Sequence, residues 1–357
     1  MQKDDRLLRI GVLGCGPIAQ FAHFEACRKA RNAELYAICD IADDLRDRMD
    51  AIHQPKVAYN HYEAMLTDDR VEAVIVAIAD QFHVDAAIKA IDAGKHVLVE
   101  KPLGTDVESC LRLKEHASKS WATVQIGNNR RFDPGVAFAH QFSREEMGGK
   151  IAFKAWYYDS VYRYTMTDNL QPIPLQSKQA KRPGGDPKAD KRRYFLLTHG
   201  SHLVDTARHL GGPIASVSAR LAERHGAYCW FIALEFEDGS LGHLDLHIPI
   251  RGDFQEGFQI YGEGGSVTGR VHLPWFHKAS DVECFSARDR QFRRPLGEDA
   301  HTYKLQVEGF ASTILDGASQ RGANLDDGIA AVRALVAIAR SVETGKPVYL
   351  EDVTGGV

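Results

Sequence analysis

The sequence predicts a two-part α/β chain, in which a half of alternating strands and helices precedes a half rich in antiparallel strands. Three observations predict it. Apolar runs alternate with helical stretches from residue 8 to about 127, which implies crossover connections and a mainly parallel sheet. From residue 150 onward, strand-like segments follow one another across short turns. A glycine-rich turn, Gly14-Cys15-Gly16, stands between the first apolar run and the first helix. The expected domains are 1–127 and 128–357. At 357 residues the chain is too long for one ordinary domain and comfortable for two.

Each element has its own justification. Leu8–Leu13 and Ala33–Cys39 are short apolar runs that read as strands, the first ending at the glycines and the second at Asp40. Residues 17–30 and 42–51 read as helices between them and after them. Residues 71–79 form a third, strongly apolar strand. The helix expected over 84–93 is closed by Gly94, the residue type that most easily ends a helix in a left-handed turn. Strand 96–100, helix 107–118 and strand 123–127 complete the series. Continuous Val/Ile runs suggest strands buried on both faces. In the second half, segments 150–161, 214–223, 228–237, 240–248, 256–262 and 266–271 read as strands. Glu237-Asp238-Gly239-Ser240 and Gly262-Glu263-Gly264-Gly265 are hairpin turns between them. Helices are expected over 199–210, 301–316 and 325–343.

Composition excludes several classes. Apolar residues make up 44% and charged residues 26%, the balance of a folded globular chain. With 44 Lys+Arg against 48 Asp+Glu, the net charge is −4, so the basic excess of a nucleic-acid binder is missing. The apolar run Val71 to Ala79 is interrupted by Glu72 and too short to span a bilayer. The acidic, β-like N-terminus does not read as a signal peptide. Six cysteines without a CxxC pair fit reduced thiols in a cytoplasm. There is no internal repeat. Residues 165–193 read as a long loop, with seven basic and two acidic residues between Lys178 and Arg193. It reads as a solvated segment, a lid or oligomer arm, or a patch for an anionic substrate; long loops inside domains are often functional.

Gly14-Cys15-Gly16-Pro17-Ile18-Ala19 has the form GxGxxA in its required strand–turn–helix context. Gly14 suits the tight turn, Gly16 lets the backbone approach a pyrophosphate, and Ala19 lets helix and strand pack closely. Pro17 and Ile18 open the helix, whose N-terminus presents N–H groups and positive dipole to a phosphate. Asp40, 21 residues after Ala19, ends the second strand, where a carboxylate accepts from ribose hydroxyls and repels a 2′-phosphate. The expected cofactor is therefore NAD, ahead of NADP. A plain βα turn is the alternative reading of the glycines alone.

Strand 96–100 ends in Glu100-Lys101-Pro102. A lysine beyond the carboxyl end of a strand can stabilise a developing alkoxide, although an arbitrary loop lysine is more often only solvated. With His83 and the run from Ala93 to Leu103, the chain resembles the glucose–fructose oxidoreductase/inositol dehydrogenase (Gfo/Idh/MocA) family. The resemblance continues through Arg131-Phe132-Asp133-Pro134 and Gly200-Ser201-His202-Leu203-Val204-Asp205, and covers nearly the whole chain. It implies a Rossmann domain, then an open-faced sheet that often mediates oligomers, and NAD(P)-dependent redox chemistry on sugars, cyclitols or their derivatives. It assigns Lys101 and His202 as catalytic. It places Asp80, His83, Glu100 and Lys101 along the cofactor, and Lys101, Arg131, Thr198, His199 and His202 toward substrate. An imidazole ionising near pH 6.5 suits a general base.

Two positions depart from the family pattern. Thr198 stands where many members carry an acid, so it cannot tune His202 with a charge; a helix cap is its structural alternative. The turn after the third strand is Ile78-Ala79-Asp80 instead of Thr-Pro-Asn. Arg131 equally suits a structural salt bridge. Asp205 reads as a partner that orients His202 or as a helix anchor. His199, His202, Asp205 and His209 share a helical face, but the redox chemistry needs no ion and no metal is expected. Apolar residues on both alternations of 228–237 point to a homodimer or homotetramer, because helices cover one sheet face only. The expected reaction is hydride transfer between NAD and a secondary hydroxyl. The alternatives are glycoside cleavage through transient oxidation and a non-catalytic NAD-binding sugar sensor.

Overall fold

The computed structural model describes residues 6–163, 173–178 and 188–357. Most of the long loop, including Pro172, Pro183, Gly184, Gly185 and Pro187, lies outside the described residues. Contacts divide the chain into two compact units. The first takes the described residues 6–129, 173–178 and 302–329; the second takes 130–163, 188–301 and 330–357. The sequence reading draws one boundary, after residue 127. The chain instead re-enters its first unit late, because helix Thr302–Leu315 packs against helix Phe24–Lys29. Glu308 there accepts from the Arg31 backbone N–H at 3.0 Å and its guanidinium at 3.1 Å. The Asn32 amide donates to the Glu308 carbonyl at 3.0 Å and to Ser312 at 2.9 Å.

In the first unit, six strands form an all-parallel sheet: β1 (Leu8–Leu13), β2 (Ala33–Cys39), β3 (Val57–Tyr59), β4 (Ala73–Val76), β5 (His96–Val99) and β6 (Val124–Ile126), in the order β3-β2-β1-β4-β5-β6. This is the doubly wound Rossmann order, and the strand order reverses between β1 and β4. Ile10, Val12 and Val74 to Val76 are fully buried, as the continuous apolar runs require. Each such side chain contributes about 1.5–3 kcal/mol of burial. The first helix begins with a π turn, Ala19–His23, before becoming α-helical over Phe24–Lys29. Helix Val107–Ser118 starts where Asp106 accepts from the Ser109 N–H at 2.7 Å. Strand β3 and helix Tyr62–Leu66 are too short to announce themselves by periodicity.

The second unit holds a nine-stranded mixed sheet. Its strands are β7 (Lys150–Ser160), β8 (Ile214–Arg224), β9 (Ala227–Phe236), β10 (Leu241–Ile250), β11 (Gln255–Gly262), β12 (Gly265–Val271), β13 (Asp281–Ser286), β14 (Gln291–Arg293) and β15 (Val348–Tyr349). They lie in the order β14-β13-β12-β11-β7-β10-β9-β8-β15. Every pairing is antiparallel except β7 with β10. Trp230, Ile232 and Leu234 are buried on one face. On the other, Phe231, Leu241 and Tyr261 remain 46%, 63% and 49% exposed. Helix Pro134–Glu145 begins at Asp133, which accepts from the Gly135 and Val136 N–H groups and reaches the Ser280 N–H. Helix Ser201–Gly211 packs on β7.

Candidate active site

The first unit brings the glycine loop, Asp40 and the Glu100–Pro102 turn to the carboxyl ends of β1, β2 and β5. Gly14 has φ +98°, and a Cβ there would sit 2.6 Å from the Ala77 carbonyl oxygen. Only glycine fits, both for its backbone conformation and for the approach to the chain leaving β4. Gly16 is different: a Cβ there would meet nothing within 4 Å, so its surroundings leave open space beside the backbone. That is the cradle a pyrophosphate needs. Pro17 and Ile18 lead into the π turn that begins at Ala19, which is fully buried.

Asp40 is tied to the same loop. One carboxylate oxygen accepts from the Cys15 N–H at 2.7 Å and the other from the Ala42 N–H at 2.8 Å. The second strand's acid thereby sits against the glycine turn, and its outer lone pairs can accept from ribose hydroxyls. Burial, and then the Asp40 charge, pushes the Cys39 thiol up to about 12; the Cys15 thiol is raised for the same reasons. Neither thiol is a nucleophile near neutral pH. Gln20 donates to the Cys15 carbonyl and exchanges two hydrogen bonds with Leu175, and Asp44 accepts from Ser177 and the Lys178 N–H. Residues 173–178 of the long loop therefore dock beside the glycine turn.

His83 bridges two turns. Its Nδ1 lies 2.7 Å from the Pro102 carbonyl and its Nε2 lies 3.0 Å from the Ile78 carbonyl. The ring is buried and joins the turn after β4 to the turn after β5. Asp80 accepts from the Gln81 N–H within that first turn. Glu100 is also buried. Its carboxylate takes the His23 ring nitrogen at 2.9 Å on one oxygen and the Lys101 backbone N–H at 3.1 Å on the other. Burial pushes this carboxyl up. The His23 hydrogen bond, then the electrostatic contributions of His23, Lys101 and His83, outweigh that and hold it below the ordinary glutamate value. The Lys101–Pro102 peptide is cis, and Lys101 is partly exposed.

In the second unit, helix Ser201–Gly211 and the π turn Leu196–Gly200 before it carry the histidines. His202 is partly exposed and its ring lies parallel to Tyr157 of β7, 6.0 Å between centroids. His199 lies 5.5 Å from the same tyrosine and its Nε2 is 3.1 Å from Asp159. Asp159 also receives Arg163 at 3.2 Å. Burial raises its carboxyl, but the His199 hydrogen bond and the Arg163 charge bring the net value below an ordinary aspartate. Thr198 is not a cap. Its hydroxyl donates back to the Tyr194 carbonyl at 2.6 Å and lies 2.8 Å from His199 Nδ1.

Arg131 and Asp205 form a buried forked pair, with nitrogen–oxygen distances of 2.7 and 3.2 Å. Asp205 so anchors helix Ser201–Gly211 to the segment after Asn129. His209 stacks on His140 at 4.0 Å, and burial followed by the charge of Arg131 lowers it to about 2. It is a neutral packing residue. The stripe is thus divided: His199 and His202 lie against Tyr157, Asp205 pairs with Arg131, and His209 stacks on His140. Among the described residues no group of three or more His, Cys, Asp or Glu side chains is arranged to hold a metal. Sequence reasoning missed Asp159 and His23. Each lies far along the chain from its partner, and spacing carries no signal for it.

Known proteins resemble this chain in sequence and in structure. Residues 8–128 match the family model described as the oxidoreductase family, NAD-binding Rossmann fold. Residues 190–350 match its C-terminal alpha/beta domain. The chain is 30% identical to inositol 2-dehydrogenase 2 of Saccharopolyspora erythraea, over 96% of each chain. It is 24% identical to D-xylose 1-dehydrogenase (NADP(+)) 2 of Haloferax volcanii, again over 96% of each. Among solved structures, a levoglucosan dehydrogenase in complex with NADH superposes with a TM-score of 0.80 at 19% identity. The alignment spans 98% of this chain and all of that one, and it speaks for the fold.

Proposed function

The chain belongs to the Gfo/Idh/MocA oxidoreductase family, and we propose that within it the protein is an NAD-dependent dehydrogenase acting on a secondary hydroxyl of a sugar, cyclitol or derivative. One observation carries the choice of cofactor. Asp40 is braced by the Cys15 and Ala42 N–H groups beside the open space at Gly16, the arrangement that receives an adenosine ribose and excludes a 2′-phosphate. The residues fit the dinucleotide: Gly14 to Ala19 would hold its pyrophosphate, Asp40 its ribose, and the Asp80–His83 and Glu100–Lys101 turns its nicotinamide end. When bound, NAD supplies the hydride acceptor.

The remaining chemistry falls to the protein. Lys101 donates to the reacting oxygen and stabilises it as an alkoxide. His202 takes the hydroxyl proton as general base. The Asp159–His199–Thr198 chain presents fixed polar groups for the other hydroxyls of a polyol, and Arg131 serves chiefly to hold Asp205. The substrate class follows the named relatives, which act on inositol and xylose. We further propose a cytoplasmic homodimer or homotetramer that buries the face bearing Phe231 and Leu241. All six cysteines are free, five of them buried. No described helix is long and apolar enough to cross a membrane.

The deciding experiment is a panel of cyclitols, sugars and glycosides with NAD and NADP, following reduced cofactor and released aglycone together. Stoichiometric NADH from a free polyol is the expected result. Aglycone release without net NADH would replace it with glycoside cleavage, and binding without either product would leave a sensor.

A further inference from the structure

We propose that His23 is a positioning residue for Lys101, acting through Glu100. The proposal rests on the assignment of Lys101 as the alkoxide-stabilising group. His23 stands at the end of the π turn that follows the glycine loop, seven residues beyond Gly16 in the chain (23 − 16), and its side chain is completely buried. It reaches 77 residues along the sequence to Glu100 Oε1 at 2.9 Å. Its other nitrogen, Nδ1, is buried without a hydrogen-bond partner, so the Nε2–H tautomer is the one this environment accommodates. The ring is held edge-on against Tyr303 with 5.6 Å between centroids. That leaves the imidazole one polar task, which is to donate to Glu100.

Glu100 passes the constraint on. Its second oxygen accepts the Lys101 backbone N–H, so the carboxylate clamps the first peptide of the Lys101 turn. The opposite side is closed by Gly127, where a Cβ would come within 3.0 Å of Glu100 Cα and 3.1 Å of its carboxylate. A side chain at 127 would therefore push the clamp out of place. With one oxygen unbonded, the buried carboxylate could rotate and release the turn. The loss of aim at the lysine would appear in turnover, because misplacing a catalytic group by about 1 Å costs on the order of 100-fold.

Two variants at one position separate positioning from bulk. His23→Met keeps an apolar chain of similar length without a donor, and His23→Gln restores a donor at the same reach. Both are measured alone and combined with Lys101→Met, for NAD dissociation constant by fluorescence titration and for kcat and KM on the polyol the parent oxidises. The expected result is an NAD affinity within about threefold of the parent and a kcat lower by about 10- to 100-fold with KM little changed. His23→Gln should recover most of that loss, and His23→Met should cost less than about twofold in the Lys101→Met background, since its effect runs through that lysine. Parental kcat in His23→Met, failure of His23→Gln to recover, or a full loss persisting without Lys101 would each overturn the proposal. Glu100→Gln covers the case in which His23→Met does not fold. It keeps size and burial but turns an amide N–H toward the Lys101 N–H or the imidazole, and parental kcat in it would also overturn the proposal. Lys101→Met with parental turnover would instead sink the assignment of Lys101 itself.

Discussion

At the residue scale the site is a set of side chains whose partners decide their tasks. Asp40 spends its inner lone pairs on the Cys15 and Ala42 N–H groups, and in the proposed site its outer ones receive a ribose. Asp40→Ala should weaken NAD binding and reduce the preference for NAD over NADP, checked by KM for both cofactors; an unchanged ratio would show that another group makes the choice. His202→Ala should lower turnover by about two to four orders of magnitude with little change in NAD affinity. Lys101→Met should also be severely impaired, and the two losses should be less than additive if both act on one oxygen. Arg131 makes the contrasting case. Its guanidinium is committed to Asp205 in a buried pair, so Arg131→Met strands a buried carboxylate and should cost about 3–5 kcal/mol in chemical denaturation. A full-stability Arg131→Met with a raised substrate KM would point to substrate binding in its place.

At the element scale, turns carry the function and strands hold them. The β1 turn is the clearest case. Gly14 needs φ +98° and has the Ala77 carbonyl 2.6 Å from where a Cβ would sit. Gly14→Ala should therefore destabilise the fold by at least about 1–2 kcal/mol, from left-handed strain alone, and displace the loop from β4. Gly16→Ala should leave the melting temperature near the parent's and weaken NAD binding, because its added methyl meets no protein atom within 4 Å and enters the space proposed for the pyrophosphate. Equal thermal losses in both variants would contradict this division of labour. The turns after β4 and β5 are likewise held as one piece by His83, whose ring touches a carbonyl of each. Helix Pro134–Glu145 shows what pattern reading passes over: its signal, Asp133-Pro134, is a proper N-cap followed by a first-turn proline, and periodicity alone gave it no weight.

At the scale of the whole molecule, the nine-stranded sheet has one buried face and one that leaves Phe231, Leu241 and Tyr261 substantially exposed. These residues fall on the same alternation through the pairings of β9 with β10, β10 with β7 and β7 with β11. An apolar surface of this kind is costly in water and suits burial against a second copy. Light scattering at micromolar concentration should give a dimer or tetramer mass, and Phe231→Asp should shift it toward the monomer. A monomeric parent would rule the assembly out.

Whatever is local or periodic in the fold was legible in the amino-acid order. The strand limits at Leu8–Leu13 and Ala33–Cys39, the helix at Val107–Ser118 and the GxGxxA turn are all legible, because side-chain alternation and turn chemistry act between near neighbours. The catalytic roles proposed for Lys101 and His202 rest on a family resemblance; their motifs describe a turn and a helix face but not a reaction. Tertiary structure alone decided the partnerships: His23 with Glu100, Asp159 with His199, Arg131 with Asp205, and helix Thr302–Leu315 within the first unit. It also decided that β7 runs parallel to β10 inside an otherwise antiparallel sheet. The reason is physical. A buried polar group must find a partner somewhere in the fold, but which one it finds depends on how distant segments pack, and no spacing along the chain records that.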